Sequence, residues 1–428
     1  MHIVRGILSA SLILLLASCA TTEQKPVSTP FDALEKLSGP AVRNDTDAFM
    51  QQLYISRTFL PHKQLKHDPI ALSKQSEAPI NNAQAKIIGP SYQDSLRSLA
   101  AKLWMIEHAE HTLDLTYYIY KYDPTGYALI GALCDAVKRG VDIRIMVDSL
   151  GSMSSNHAPM RALETCAEDA GYMRDAYKKE TPHKARVQFV IINALTSWSS
   201  WSNRRSHDKL IIKYGSFPGK DMVMTGGRNI SVDYYGINKD GSRNKDTYLD
   251  LEILLRSDGG VETNLGEITV GDVSSVYYTL LFLHKGNRRI HPVSNDGDDS
   301  AFGLLDPYAN YRQKAQDAQA FIKNVPAIKS AFEEMPEYLN SGYRSSEVRL
   351  AHELGNLVST DVVSDVVEIK SRNTNSIEAI LANAVQEAER EGDLTGTLRI
   401  ISPYLFIAQY QNKEGEIFFD GAQRMLEM

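Results

Sequence analysis

The stretch Leu113-Asp114-Leu115-Thr116-Tyr117-Tyr118-Ile119-Tyr120 is dense in β-branched and aromatic residues, and Val141-Asp142-Ile143-Arg144-Ile145-Met146-Val147 has the same character. Both read as strands. Upstream, Leu96, Leu99, Ala100, Leu103, Trp104 and Ile106 recur at helical spacing, which predicts an amphipathic helix within Ser91 to His111. Between the strands, Asp123-Pro124-Thr125-Gly126 punctuates the chain. Apolar periodicity from Tyr127 to Lys138 then gives a second helix that closes at Arg139-Gly140. Helices alternating with buried strands predict an α/β fold: a mixed, mostly parallel sheet flanked by helices.

The 428 residues around this unit are 43% hydrophobic and 23% charged, enough apolar material for two domains or one large duplicated one. Average Gly and Pro usage excludes disorder throughout. Lys and Arg number 46 against 53 Asp and Glu, a net charge of −7, which argues against a generic electrostatic grip on nucleic acid. Three cysteines are too few for a disulfide scaffold, and no CxxC pair or Cys/His cluster reads as a zinc site. No metal or other cofactor is expected. Cys134 and Cys166 either pair in an oxidising compartment or stay as buried small side chains.

The N-terminus carries Arg5 and an apolar run from Ile7 to Ala17, shorter than the roughly 20 residues that span a bilayer as a helix. Residues 1–19 therefore read as a signal peptide. Its end, Leu16-Ala17-Ser18-Cys19, resembles the bacterial lipoprotein cleavage box, which implies lipidation of Cys19. Ala20 in place of Asp implies attachment at the periplasmic face of the outer membrane. Residues 20–79 form a tether and N-terminal extension, in which the basic stretch His62 to His67 reads as a solvated face.

Further along, Ser206-His207-Asp208-Lys209-Leu210-Ile211-Ile212-Lys213-Tyr214 places His207 and Lys209 two apart on a strand. Alternation of the pleat puts both on one face and sends Asp208 to the other. After a loop, Met222-Val223-Met224-Thr225 runs into Gly226-Gly227-Arg228-Asn229. A hairpin there returns Gly227 and Asn229 to the side of His207 and Lys209. A nucleophile or base, a fixed cation and neutral amide donors then surround one point, which suits a phosphodiester. Asp148, at a strand end, reads as either a site residue or a turn cap. Trp198 and Trp201 read as a lipid-facing lip or as packing anchors.

These residues resemble the repeated signature of the phospholipase D superfamily, HxKxxxxD followed by GSxN or GGxN. The likeness runs from about Ser91 to Gly259, through Asp233-Tyr234-Tyr235 and the strand Tyr248 to Leu254, and is nearest in wording to cardiolipin synthase-like members. It implies that His207 is the covalent nucleophile or its acid/base partner. It also implies that Lys209 binds phosphate, and that Asn229, with the Gly227 turn, contacts substrate. Two departures stand out. The motif Asp falls on Tyr214, and the following turn is long, with Asp221 at what reads as a solvated tip.

Residues 80–290 then form a first phospholipase D-like domain and 291–370 a connecting region. The reading makes Asp272 to Lys323 loop-rich and Phe321 to Ser341 helical. From 371 to 428 the opening unit recurs: Asn375 to Val385 repeats the amphipathic helix, and Leu398 to Phe406 repeats the strand Leu113 to Tyr120. One more helix is expected at Glu414 to Glu427. His207 follows Tyr118 by 89 residues, and the same spacing after Tyr404 runs past position 428, so a complete half and the start of a second are expected. The resemblance implies a phosphatidyltransferase or phosphodiesterase acting on membrane phospholipid through a phosphohistidine, with the membrane reached through the lipid anchor. The rivals are a superfamily nuclease working as a homodimer and an inactive lipid-binding lipoprotein.

Overall fold

The computed structural model describes residues 46–59, 79–152, 157–192, 205–258, 261–292 and 306–352, apart from 216, 218, 264, 265 and 285. It also describes 377–392, 395, 397, 409–411, 414–420 and 423. Cys19 and the expected signal peptide, the basic stretch at 62–67, Trp198, Trp201 and the expected strand at 398–406 lie outside the described residues. The chain divides into two compact units, 1–68 with 78–348 and 69–77 with 349–428.

In chain order the first unit runs α1 (Thr46–Ser56), β1 (Pro79–Ile88), α2 (Tyr92–Glu107), β2 (Thr112–Tyr117), α3 (Pro124–Lys138), β3 (Asp142–Asp148) and α4 (Ala158–Thr165). It continues with β4 (Tyr172–Arg174), β5 (Glu180–Lys184), β6 (Val187–Ile192), β7 (Lys209–Lys213), β8 (Met222–Gly226), β9 (Glu252–Ser257), β10 (Val261–Thr263) and β11 (Gly266–Ile268). It closes with α5 (Val270–Phe282), β12 (Arg288–Arg289), α6 (Ala309–Asn324), α7 (Pro326–Glu333), α8 (Met335–Tyr338) and β13 (Arg344–Arg349). The helix starts follow from local chemistry. Ser91 caps α2 by accepting from the Asp94 amide, and Asp123 caps α3 through Thr125 and Gly126 with Pro124 in the first turn.

Among the described residues nine strands make one sheet in the order β12-β6-β3-β2-β7-β8-β9-β1-β13. The pairs β2/β3 and β3/β6 are parallel, while β2/β7, β7/β8, β8/β9, β9/β1 and β6/β12 are antiparallel. The expected mixed α/β sheet is present, but it is mostly antiparallel rather than mostly parallel. Parallel neighbours need a helical crossover, which α3 and α4 supply. The chain from β7 to β8 is a hairpin, and β7 enters beside β2 running the opposite way.

Both β2 and β3 are buried along their whole length. Buried ion pairs mark the two faces. Arg144 pairs with Asp114 at 2.8 Å and donates to Thr279 of α5, whereas Lys102 of α2 pairs with Glu252 at 2.5 Å on the other face. Arg57, just past α1, joins Asp114 at 2.9 Å to Asp142 at 2.7 Å, and Arg186 meets Asp142 at 2.9 Å. Cys134 of α3 and Cys166 form a disulfide.

The expectation of a loop-rich Asp272 to Lys323 fails at both ends. Helix α5 is buried all round and rich in Val, Tyr and Leu, so it shows no amphipathic stripe. Its start is fixed instead by a reciprocal cap between Thr269 and Asp272. Helix α6 packs on α3. The helical stretch expected at Phe321 to Ser341 is present but broken at Val325 and Glu334. In the second unit α9 (Ile377–Glu391) carries the expected amphipathic helix, followed by β14 (Gln409–Gln411) and β15 (Ile417–Asp420). Within the helix expected at Glu414 to Glu427, residues 417–420 instead form a strand, where Ile417, Phe418 and Phe419 favour extended pairing, and 421, 422 and 424–427 lie outside the described residues.

Candidate active site

Four strand ends meet at one end of the sheet. Register pairs Lys209 with Tyr117, Leu210 with Thr225, and Gly226 with Glu252, which gathers Tyr118, His207, Gly227 and Asp250 just beyond β2, β7, β8 and β9. The Lys209 Nζ lies 3.2 Å from the His207 Nδ1 and donates to the His207 carbonyl at 2.6 Å. His207 is exposed and precedes the strand, whereas Lys209 opens it and is buried. Asp208 faces away as the pleat requires, accepting from the Ser206 hydroxyl and, at 2.9 Å, from Tyr277 of α5.

Burial pushes the Lys209 ammonium down to about 8, with Asp208 and Asp250 opposing. Burial, and then the Lys209 charge, hold His207 below its usual 6.5, again against Asp208 and Asp250. A neutral imidazole beside an ammonium is the consequence. With Nδ1 accepting from Lys209, the ring proton sits on Nε2.

The glycine turn is required by what approaches it. Gly226 has a φ of +153°, and a Cβ on Gly227 would lie 1.8 Å from the Asp250 carboxylate. The Gly227 amide donates to the Leu251 carbonyl at 2.8 Å. Asn229 is buried, its Oδ1 accepting from the Ile119 amide at 2.9 Å and its Nδ2 donating to the Tyr234 hydroxyl at 2.9 Å. Arg228 points below the site and meets Glu252 at 3.3 Å, joining the Lys102 pair. Burial pushes Lys102 down to about 8, against the attraction of Glu252.

All four residues read from the sequence, His207, Lys209, Asn229 and Gly227, come together here. Three more were missed. The Tyr118 ring lies 4.5 Å from the His207 ring. Asp250 acts on both His207 and Lys209, and Tyr234 holds Asn229. The available signal for Asp250 was its place at the head of the strand paired to the glycine turn. Asp148 is a turn cap, accepting from Leu150 at 2.8 Å and Gly151 at 3.2 Å, and it also takes the Ser206 amide and faces Arg205 at 3.7 Å. It thus holds the segment leading into His207.

The two departures from the signature have structural uses at the other end of β7. The Tyr214 hydroxyl accepts from the Glu110 amide and donates to the His108 carbonyl at 3.0 Å, closing the end of α2. Asp221 is buried, not a solvated tip, and accepts from the Ser257 hydroxyl and from the Gly271 amide at 2.8 Å, at the start of α5. Since Lys213 pairs with Met222, Asp221 lies at the Tyr214 end of β7, away from His207.

Among the described residues, no group of three or more His, Cys, Asp or Glu is placed to share a metal ion. A cavity of about 600 Å³ lined by Asp135, Lys323 and Phe332 lies among α3, α6 and α7, away from these strand ends.

The model of the family "Cardiolipin synthase, PLD-like domain" matches residues 103–242, which span His207, Lys209, Gly227 and Asn229. Residues 103–242 are thus similar to a phospholipase D-like domain. Cardiolipin synthase C of Escherichia coli (strain K12) is 31% identical over 148 residues, covering 35% of this chain and 28% of that one. A cardiolipin synthase of Oceanobacillus iheyensis is 30% identical over 158 residues, covering 37% and 28%. The chain thus spans 28% of the length of each of these curated relatives. A solved phospholipase D family member, Nuc of Salmonella typhimurium, is 15% identical with a TM-score of 0.31, over 49% of this chain and 99% of that one. So loose a superposition adds no argument. The matched residues end at 242, so Asp250 lies just outside them.

Proposed function

We propose that the chain is a cardiolipin synthase-like phosphatidyltransferase or phospholipase D acting on membrane phospholipid through a phosphohistidine on His207. The observation that carries this reading is the buried Lys209 ammonium 3.2 Å from the His207 imidazole, beside the Gly227 turn and Asn229.

In the first step a His207 nitrogen attacks the phosphorus of a phosphodiester, and the bond from phosphorus to the headgroup oxygen breaks. A second acid, most simply an imidazole from another HxK segment, protonates the leaving alcohol. In the second step that group removes the proton of water or an alcohol. The acceptor oxygen then attacks phosphorus, and the phosphorus–nitrogen bond breaks. Lys209 and the remaining N–H of Asn229 meet the nonbridging oxygens. Attack through Nε2 needs the ring proton on Nδ1, so a phosphate that draws Lys209 away from Nδ1 prepares the nucleophile. Asp250 then stabilises the positive charge that develops on the ring.

Attachment at the membrane through Cys19 fits this substrate, because tethering raises local concentration at the bilayer. The Cys134–Cys166 disulfide supports the reading that the chain works in an oxidising cell envelope. The test is incubation of the purified chain with phosphatidylglycerol vesicles, with and without added glycerol, and separation of the lipids. Phosphatidic acid or cardiolipin lost in His207→Ala supports the proposal; equal product from both proteins refutes it.

A further inference from the structure

Among the described residues nine large hydrophobic side chains are exposed, and three of them, Leu150 (50%), Tyr248 (59%) and Leu249 (68%), flank the strand ends that carry His207. Leu150 rides on the turn capped by Asp148, and its neighbour Gly151 packs so closely that a Cβ there would lie 2.3 Å from the Tyr118 carbonyl. Tyr118 in turn covers the His207 ring. On the other side, Leu249 adjoins Asp250. The Tyr248 amide donates to the Asp233 carbonyl at 2.8 Å, and its ring lies 5.0 Å from Tyr234, the partner of Asn229.

These apolar groups are therefore held outward by fixed backbone contacts on both sides of one imidazole. Exposed apolar surface concentrated at a site marks an interaction surface. The charges of the same loop, Lys239, Arg243 and Lys245 against Asp240 and Asp246, nearly balance, so the loop is not an anion-docking patch. A Tyr beside two Leu suits a boundary that is apolar on one side and wet on the other.

We propose that Leu150, Tyr248 and Leu249 form a lip that enters the acyl boundary of a phospholipid bilayer and sets the headgroup phosphate at His207. The proposal rests on the reading of this site as phospholipid-directed. Apolar insertion holds the lip, so its grip is insensitive to salt.

The test uses the full chain with Cys19→Ser, which removes any acyl anchor and leaves one thiol in the Leu249→Cys variant for an environment-sensitive fluorophore. On vesicles of phosphatidylglycerol and phosphatidylethanolamine, the label at 249 should brighten and be quenched by brominated acyl chains, equally at low and high salt. A label at Lys184→Cys, on the β4–β5 hairpin by the opposite end of β3, should do neither. Leu150→Ser with Leu249→Ser should lower turnover of vesicle lipid about tenfold while sparing a short-chain monomeric phospholipid. An unquenched label at 249, a signal abolished by salt, or equal loss on both substrates overturns the lip. Quenching by a chain that turns over neither substrate removes the proposed activity and leaves the lip standing.

Discussion

The Lys209 Nζ lies 3.2 Å from the His207 Nδ1, and both groups are held at values where one is neutral and the other charged near neutral pH. Attack needs the imidazole neutral, which holds above its lowered pKa, and phosphate binding needs the ammonium, which is lost above about 8. The expected pH profile of kcat/KM is a bell with its acid limb below 6.5 and its alkaline limb at about 8. In Lys209→Arg the alkaline limb should disappear while some activity remains. A wild-type plateau extending through pH 9 would contradict these assignments.

Asp250 raises the pKa of both neighbours. Its replacement in Asp250→Asn keeps the shape against Gly227 and removes the charge. Both limbs of the profile should shift to lower pH, and kcat should fall about 10- to 100-fold with KM little changed. An unaltered profile would show that Asp250 only packs against the turn.

Tyr214 takes the place of the signature Asp, yet its hydroxyl closes α2 through Glu110 and His108. Tyr214→Phe should cost about 1 to 2 kcal/mol of stability, read by thermal or urea melts, with unchanged turnover below the transition. Tyr214→Asp should gain no activity. A gain would mean that the position couples to the site.

The helical and strand pattern from Ser91 to Val147 was legible because caps, turns and periodicity agree there. Strand direction was not, because β7 lies beside β2 through long-range pairing that leaves no local trace. The same holds for the site. His207, Lys209 and the glycine turn share a short motif, whereas Asp250 reaches them only through the β8/β9 register. Tyr118 was read as part of a strand with no sign that its ring would cover His207. Helix α5 escaped because burial on every side erases the amphipathic signal.

Arg57 draws two carboxylates together beneath the sheet. Arg57→Ala should destabilise the fold by about 3 kcal/mol, since it leaves buried charge less compensated. Burial pushes the Asp142 carboxyl up, but Arg186 and Arg57 outweigh it and hold it at about 2, below its ordinary 3.8. That stabilisation is complete above 3.8 and fades as pH falls through about 2, so acid should narrow the gap between Arg57→Ala and the parent. Thermal melts at neutral pH and in acid check both statements.

The central claim is that His207 carries the transferred group. Chain mixed with phosphatidylglycerol vesicles, quenched in alkali to preserve a phosphorus–nitrogen bond and digested for mass spectrometry, should yield a phosphatidyl adduct on the peptide containing His207. The adduct should be missing from His207→Ala, which should also lose turnover. Turnover by the parent with no adduct at His207, or turnover retained in His207→Ala, would contradict the account.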